Sequence, residues 1–166
     1  EFGLDKVRKL LAKCVQATRS LDYSGFTTNI SELAREILPV QKLGQATAEG
    51  VILADYNFAQ YLSKEKKEKN KPLEYLALSW SKNPKDFAKG IKVGKIIAQS
   101  TNWVRDLVNE PAGVANSVYL EKATKSLVSE KLKVRTLNEL ELKKLGLGAL
   151  LAVNAGSVNP AKLVLI

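Results

Sequence analysis

Apolar residues recur every three or four positions near the start of the chain. This spacing predicts an amphipathic helix over residues 4–19, with an apolar side formed by Leu4, Val7, Leu10, Leu11, Cys14 and Val15. A weak strand is predicted over residues 23–30 and a short helix over residues 30–38. Pro39 ends that helix, because the residue before a proline is pushed out of the helical conformation.

The next segments change from helix to charged loop to strand. A helix is predicted over residues 45–62, with one side formed by Ala46, Gly50, Leu53, Ala54, Phe58, Tyr61 and Leu62. Residues 63–71 contain no apolar side chain and are predicted to form a solvated loop, the alternative being a basic loop that contacts phosphates. A strand is predicted over residues 73–80, with Leu76, Leu78 and Trp80 on one face.

The longest periodic segment runs from residue 83 to Pro111. Asn83 is suited to cap a helix and Pro84 to occupy its first turn. The predicted apolar side consists of Phe87, Ile91, Gly94, Ala98, Thr101, Val104 and Val108. At 1.5 Å per residue, the helix would be about 35–40 Å long. That length fits either a connector between two domains or one long core helix in a single domain.

Shorter elements follow Pro111. A helix is predicted over residues 117–129, capped by Asn116 or Ser117, then a strand over residues 133–137 and a helix over residues 139–145 that Gly146 ends. Residues 148–153 are apolar, residues 154–160 are rich in turn formers, and residues 162–166 are predicted to form a buried strand. This alternation predicts the α/β class. The chain begins inside a helical pattern and ends in a strand pattern, which suggests a piece of a longer protein.

Composition narrows the possible chemistry. The chain has no histidine, which excludes Ser-His and Cys-His nucleophile systems and histidine-ligated zinc. Its single cysteine, Cys14, is predicted to be a small core residue. The net charge of +9 permits nucleic-acid binding. Because the lysines are spread along the chain, the favoured interpretation is that this charge serves solubility. With no signal peptide and no apolar run of about 20 residues, a cytoplasmic location is expected.

Three motifs are candidates for chemistry. Gly146, Leu147 and Gly148 do not fit a dinucleotide-binding loop, because a predicted helix rather than a strand precedes them and Leu151 stands where the third glycine is needed. Asp106 and Glu110 share a helix face and could bind a divalent metal, although a structural role at the helix end is favoured. A basic stripe on the long helix could follow phosphates, but the solvated face of an amphipathic helix is the favoured interpretation: Lys85, Lys89, Lys92 and Lys95.

Four segments together resemble one known family. Residues 105–112, RDLVNEPA, resemble the end of the linker helix in the leucine (cytosol) aminopeptidase family. Three further segments resemble segments of the same family and occur in the same order along the chain: AEGVILADYNF at residues 48–58, LGLGALLAV at 145–153 and SVNPAKL at 157–163. The chain departs from the family pattern at positions that carry no catalytic group: Gly113, Asn116, Ser117, Leu147 and Ala161.

The resemblance implies the end of an N-terminal α/β domain at residues 1–82, an interdomain linker helix at 83–112, and the truncated start of a zinc-peptidase-like catalytic domain at 113–166. It also implies a cytoplasmic, hexameric exopeptidase that uses two divalent metal ions, manganese or zinc, to hydrolyse N-terminal residues from peptides. The family's catalytic residues and metal ligands lie beyond the strand that matches residues 162–166. No catalytic, metal-binding or cofactor-binding residue is therefore assigned here, and the chain alone is predicted to be inactive. The alternatives are a DNA-binding module and an oligomerisation module.

Overall fold

The computed structural model describes residues 2–79 and 84–166. Its helices are α1 (Leu4–Ser20), α2 (Ile30–Leu33), α3 (Val40–Ala54), α4 (Lys64–Lys69), α5 (Pro84–Asn109), α6 (Ser117–Lys125), α7 (Glu139–Lys144) and α8 (Gly148–Asn154). Its strands are β1 (Gly25–Thr28), β2 (Tyr75–Leu78), β3 (Arg135–Leu137) and β4 (Leu163–Leu165). This mixture of helices and small sheets confirms the predicted α/β class. The chain forms two compact units, the first extending to Asp106 and the second running from Leu107 to Ile166.

The first unit packs α1, α3 and α5 together beside a small sheet. β1 and β2 are parallel, with Gly25 opposite Tyr75 and Thr28 opposite Leu78. The buried core consists of Val7, Leu11, Ala34, Leu43, Ala46 and Phe87. In α1 the predicted apolar side is confirmed for Val7, Leu11 and Val15, whereas Leu10 is 41% exposed and Cys14 is half-buried, because the helix contacts its neighbours along a narrower stripe than the pattern suggests.

Glycines bring the backbones of α3 and α5 into direct contact. A Cβ atom on Gly90 would lie 1.9 Å from the carbonyl oxygen of Gln41, and one on Gly44 would lie 2.2 Å from that of Phe87. Gly94 has a similarly close approach to Gln45, at 2.3 Å. Because no real Cβ atom tolerates such distances, any side chain at these positions would push the two helices apart.

The second unit has a separate core. β3 and β4 are antiparallel, with Leu137 opposite Leu163. Leu137, Leu142 and Ala161 are buried, and they are surrounded by the partly buried side chains of Leu147, Leu150, Leu151 and Leu163. The residues of this core lie between Leu137 and Leu163, so it is built from the C-terminal half of the unit.

Short polar motifs define both ends of α7. The Asn138 side chain accepts from the Leu140 and Glu141 amides at 3.0 and 3.1 Å, and the Glu141 carboxylate accepts from the Asn138 amide at 2.9 Å. This is a complete capping box. After the helix, Gly146 has φ +70°, and the Leu147 amide donates back to the Leu142 carbonyl at 3.0 Å. Gly146 therefore ends α7 as predicted, in a Schellman motif.

Replacing Asn138 with alanine is expected to destabilise α7 by about 1 kcal/mol, since the Leu140 and Glu141 amides would lose their acceptor. Hydrogen exchange at these two amides should accelerate by about fivefold, the factor that corresponds to this energy. Asn138→Asp keeps the acceptor and should exchange at nearly the wild-type rate. Equal exchange in the alanine and aspartate variants would contradict the assignment of the cap.

The predicted helix over residues 45–62 is wrong at both ends. α3 begins five residues earlier, directly after Pro39, whose carbonyl accepts from the Leu43 amide at 2.9 Å. It ends at Ala54, so Phe58, Tyr61 and Leu62 lie outside any helix. Proline is compatible with the first turn of a helix as well as with the end of the preceding one, and the prediction used only the second property.

Other elements differ from prediction in length or type. The predicted loop at residues 63–71 contains α4, which Ser63 caps and which an i,i+4 pair between Glu65 and Lys69 supports. Residues 148–153, left without an assigned type, belong to α8. The elements that are shorter than predicted are α2, α6 and the four strands. Trp80, predicted on the same strand face as Leu76 and Leu78, and Asn83, the predicted cap, lie outside the described residues.

Candidate functional site at the end of the long helix

Side chains from the last turns of α5 bind the C-terminal end of α3. The last carbonyl groups of a helix have no partners within it and must find them elsewhere. The Asn102 Nδ2 donates to the Ile52 carbonyl at 3.1 Å, and the Arg105 Nη1 donates to the Leu53 carbonyl at 3.0 Å. These residues are three apart on α5 and so face the same way. The end of α3 is thus capped by side chains from α5, about 50 positions further along the chain.

Arg105 is the centre of a small polar cluster, here called the Arg105 cluster, comprising Asn102, Arg105, Asp106 and Tyr56. The Arg105 Nη1 also donates to the Asn102 Oδ1 at 3.2 Å, and its guanidinium lies 5.3 Å from the centre of the Tyr56 ring. The Tyr56 hydroxyl donates to the Asp106 Oδ1 at 2.9 Å. These contacts hold the chain that leaves α3 against α5, through hydrogen bonds and a cation–π interaction.

Asp55, between α3 and Tyr56, ties this region to the chain before β2. Its two carboxylate oxygens accept from the Leu73 amide at 3.2 and 3.1 Å. Arg19 lies 3.7 Å from the carboxylate and donates to the Asp55 backbone carbonyl at 3.3 Å. Burial raises the pKa of Asp55 above its usual value, although the Leu73 amide and Arg19 oppose that change. Asp55 therefore acts as a bridge between segments.

The sequence pair Asp106 and Glu110 does not form a shared metal or acid–base site in the described residues. Asp106 accepts from Tyr56 in the first unit. Glu110 is only 7% exposed and accepts from the Tyr119 hydroxyl at 3.4 Å in the second unit. Four residues apart, the two carboxylates thus serve separate tyrosines, which agrees with the structural role favoured from sequence.

The second unit has its own polar contacts at the start of α6 and near β4. The Glu121 carboxylate pairs with Lys125 at 2.6 Å and also with Lys162. Hydrogen bonds from these two lysines lower the pKa of Glu121 to about 2. Ser117 donates to the Pro160 carbonyl at 2.7 Å, so α6 is attached to the chain entering β4 at two points.

The basic stripe of α5 is solvated. Lys85, Lys89, Lys92 and Lys95 are all exposed, and Lys89 pairs with Asp86 at 3.0 Å. Lys95 lies on the rim of a cleft of about 600 Å³ in the first unit. The position of Gly146–Leu147–Gly148 after α7, rather than after a strand, agrees with the rejection of a dinucleotide-binding loop.

A two-metal centre does not fit the residues that the structure describes. Within residues 2–79 and 84–166, no three His, Cys, Asp or Glu side chains lie close enough together to hold a metal ion. Over the same residues, no helix combines the length and the apolar character that crossing a membrane requires.

The sequence pattern identified residues 105–112 as a family motif but did not predict the contacts of their side chains. The structural role predicted for Asp106 had no named partner, and the structure provides one in the hydroxyl of Tyr56. Tyr56 itself was placed inside a helix and given no role. The i,i+3 spacing of Asn102 and Arg105 was the available signal that both point to one neighbour, but the sequence did not identify that neighbour as the end of α3.

Comparison with known proteins places these features in a family. The catalytic domain of the cytosol aminopeptidase family matches residues 102–166, a match that begins at Asn102 of the Arg105 cluster. A probable cytosol aminopeptidase of Persephonella marina is 37% identical over 162 residues, covering 97% of this chain and 32% of that protein. Another probable cytosol aminopeptidase, from Aquifex aeolicus, is 35% identical over 125 residues, which cover 75% of this chain and 24% of that protein.

Solved structures show the same fold. The bottromycin maturation enzyme BotP superposes with a TM-score of 0.81 at 24% identity, over 98% of this chain and 33% of BotP. The structure of BotP in complex with Mn superposes with a TM-score of 0.79, also at 24% identity. The chain spans about a third of the length of the relatives that it matches over nearly its whole length. It belongs to the cytosol aminopeptidase family.

Proposed function

We propose that the chain is part of a metal-dependent aminopeptidase that removes N-terminal amino acids from peptides. The observation that carries this proposal is the similarity to proteins named probable cytosol aminopeptidase over 97% of the chain. The residues that bind the two divalent metals, manganese or zinc, belong in this proposal to the part of the family's sequence outside the matched segment. Peptide substrates, a hexameric assembly and a cytoplasmic location follow from the same resemblance.

Within that enzyme, we propose that α5 joins an N-terminal domain, residues 1–82, to a catalytic domain that begins at residue 113. The contacts at its end support this role. The Arg105 cluster anchors α5 in the first unit, and Glu110, one turn later, accepts from Tyr119 in the second unit. The +9 charge permits nucleic-acid binding as an alternative function. We do not favour this alternative, because the relatives that match nearly the whole chain are named aminopeptidases.

The purified 166-residue chain is expected to release no leucine from a leucyl anilide, with or without added Mn²⁺ or Zn²⁺. The physical reason is that the described residues offer no cluster of ligands for a metal-activated water. Release of the anilide chromophore is followed by absorbance, and a full-length family member assayed in parallel serves as the positive control. Metal-dependent release that co-elutes with the chain and is abolished by a chelator would contradict the expectation.

A further inference from the structure

The segment of residues 159–162, here called the latch, leads directly into β4 and is bound by side chains of three helices. Two of the contacts are made to its backbone carbonyls. The Asn159 carbonyl accepts from the Asn154 Nδ2 at 2.9 Å, and the Pro160 carbonyl accepts from the Ser117 hydroxyl at 2.7 Å. Asn154 is the last residue of α8 and Ser117 is the first of α6, so two helix ends hold consecutive residues of the latch.

Carboxylates hold the next two residues of the latch. The Ala161 amide donates at 2.9 Å to the Oε1 of Glu139, the first residue of α7, and Ala161 itself is buried in the core of the second unit. The Lys162 Nζ pairs with Glu121 of α6, and these two side chains are only 19% and 15% exposed. Because hydrogen bonds to charged groups are stronger than those between neutral groups, the carboxylates hold the latch more firmly than neutral acceptors would.

The side chains of β4 do not by themselves define its register on β3. Leu163 lies opposite Leu137, and residues 163–166 read Leu-Val-Leu-Ile, without a polar side chain. A slip of one residue, about 3.3 Å, would place Val164 opposite Leu137, and a slip of two would place Leu165 there. Each alternative would still present an apolar side chain to the core, so hydrophobic burial leaves the register open.

We propose that the latch sets the register of β4 on β3, so that Leu163 packs against Leu137. Moving β4 by one residue would carry the latch about 3.3 Å along the strand. The hydrogen bonds at Pro160 and Ala161 would then be broken, because their donors and acceptors would lie beyond hydrogen-bond distance. All of these contacts lie within residues 117–165, so the device is independent of the proposed peptidase activity.

The register is measured by disulfide trapping in the 166-residue chain with Cys14→Ala. Thr136→Cys with Val164→Cys reports the observed register, since these positions lie opposite each other. Thr136→Cys with Ile166→Cys reports a slip of two residues. Opposite Cα atoms of an antiparallel ladder lie about 4.5–5.5 Å apart, within the range of a disulfide, whereas diagonal neighbours lie about 7–8 Å apart. With the latch intact, the first pair should therefore oxidise at least about tenfold faster than the second.

The double substitution Glu139→Ala/Lys162→Met removes both carboxylate contacts of the latch, and the two cysteine pairs should then oxidise at rates within about threefold of each other. Lys125→Met is the matched control, because it also takes a lysine from Glu121 but leaves the latch bound. It should preserve the preference for the observed register. An unchanged preference in the double variant, or an equal loss in the Lys125→Met variant, would overturn the proposal.

Two milder variants decide the matter if the double variant does not fold, which circular dichroism would reveal. Ser117→Ala removes only the donor to the Pro160 carbonyl and should reduce the preference for the observed register by about threefold. Glu139→Gln keeps an acceptor for the Ala161 amide and should retain most of the preference. If Ser117→Ala leaves the two oxidation rates as they are in the wild type, the latch does not set the register.

Discussion

Replacing Gly90 with alanine is expected to lower the free energy of unfolding of the first unit by about 3 kcal/mol. The new Cβ atom would lie 1.9 Å from the Gln41 carbonyl oxygen and 2.9 Å from the Gln45 amide nitrogen. Both are backbone atoms of α3, so the clash cannot be relieved by a change of rotamer and must separate the helices. That separation would also disturb Phe87, a core residue on the same helix.

The matched control is Gly148→Ala, another helical glycine, at which an added Cβ meets no atom within 4 Å. Because Gly148 lies in the second unit, this variant should leave the unfolding of the first unit unchanged. Urea unfolding of the first unit is followed by tryptophan fluorescence, since Trp80 and Trp103 are the two tryptophans of the chain and both precede Leu107. A Gly90→Ala variant as stable as the wild type would show that α3 and α5 are not in backbone contact.

Substitution of Arg105 by alanine should cost the first unit about 2–4 kcal/mol. The Leu53 carbonyl at the end of α3 would lose its donor, and hydrogen bonds from charged groups contribute about 1.5–3 kcal/mol. The stacking of the guanidinium on Tyr56 would be lost as well, at a further cost of about 0.5–1 kcal/mol. Tyr56 and Asp106 would retain their mutual hydrogen bond, so the loss is expected to fall short of complete unfolding.

Arg105→Lys separates charge from geometry. Lysine keeps the positive charge but lacks the planar guanidinium, which stacks on Tyr56 and whose Nη1 donates to both the Leu53 carbonyl and Asn102, so it should recover less than half of the lost stability. Lys92→Ala, on the exposed side of the same helix, should stay within about 0.5 kcal/mol of the wild type. The same urea experiment measures all three variants. Equal losses for Arg105→Ala and Lys92→Ala would mean that the Arg105 cluster does not stabilise the end of α3.

Local rules predicted the elements whose signals lie within a few residues. The cap at Asn116, the left-handed Gly146 and the first-turn Pro84 are positions at which short-range sterics and hydrogen bonds decide the conformation. The alternation of Leu76 and Leu78 onto one face of β2 was predicted for the same reason. Such signals need no knowledge of distant residues.

The C-terminal end of α3 could not be predicted in this way. The apolar pattern continues through Phe58, Tyr61 and Leu62, but the helix ends at Ala54. The groups that take over its last carbonyls, Asn102 and Arg105, come from a distant part of the chain. A periodic pattern contains no information about such partners.

By itself, the sequence determined the α/β class, most of the helix and strand positions, and the resemblance to cytosol aminopeptidases, because these depend on local propensities and on segments that can be read in order. Only the tertiary structure decided what the NWVRDLVNEP segment does. Its carboxylates Asp106 and Glu110, which the sequence predicted to share a helix face, accept from separate tyrosines, and its Asn102 and Arg105 cap another helix. The physical reason is that polar side chains take the partners that folding brings near them, and those partners lie up to 52 positions away in the chain.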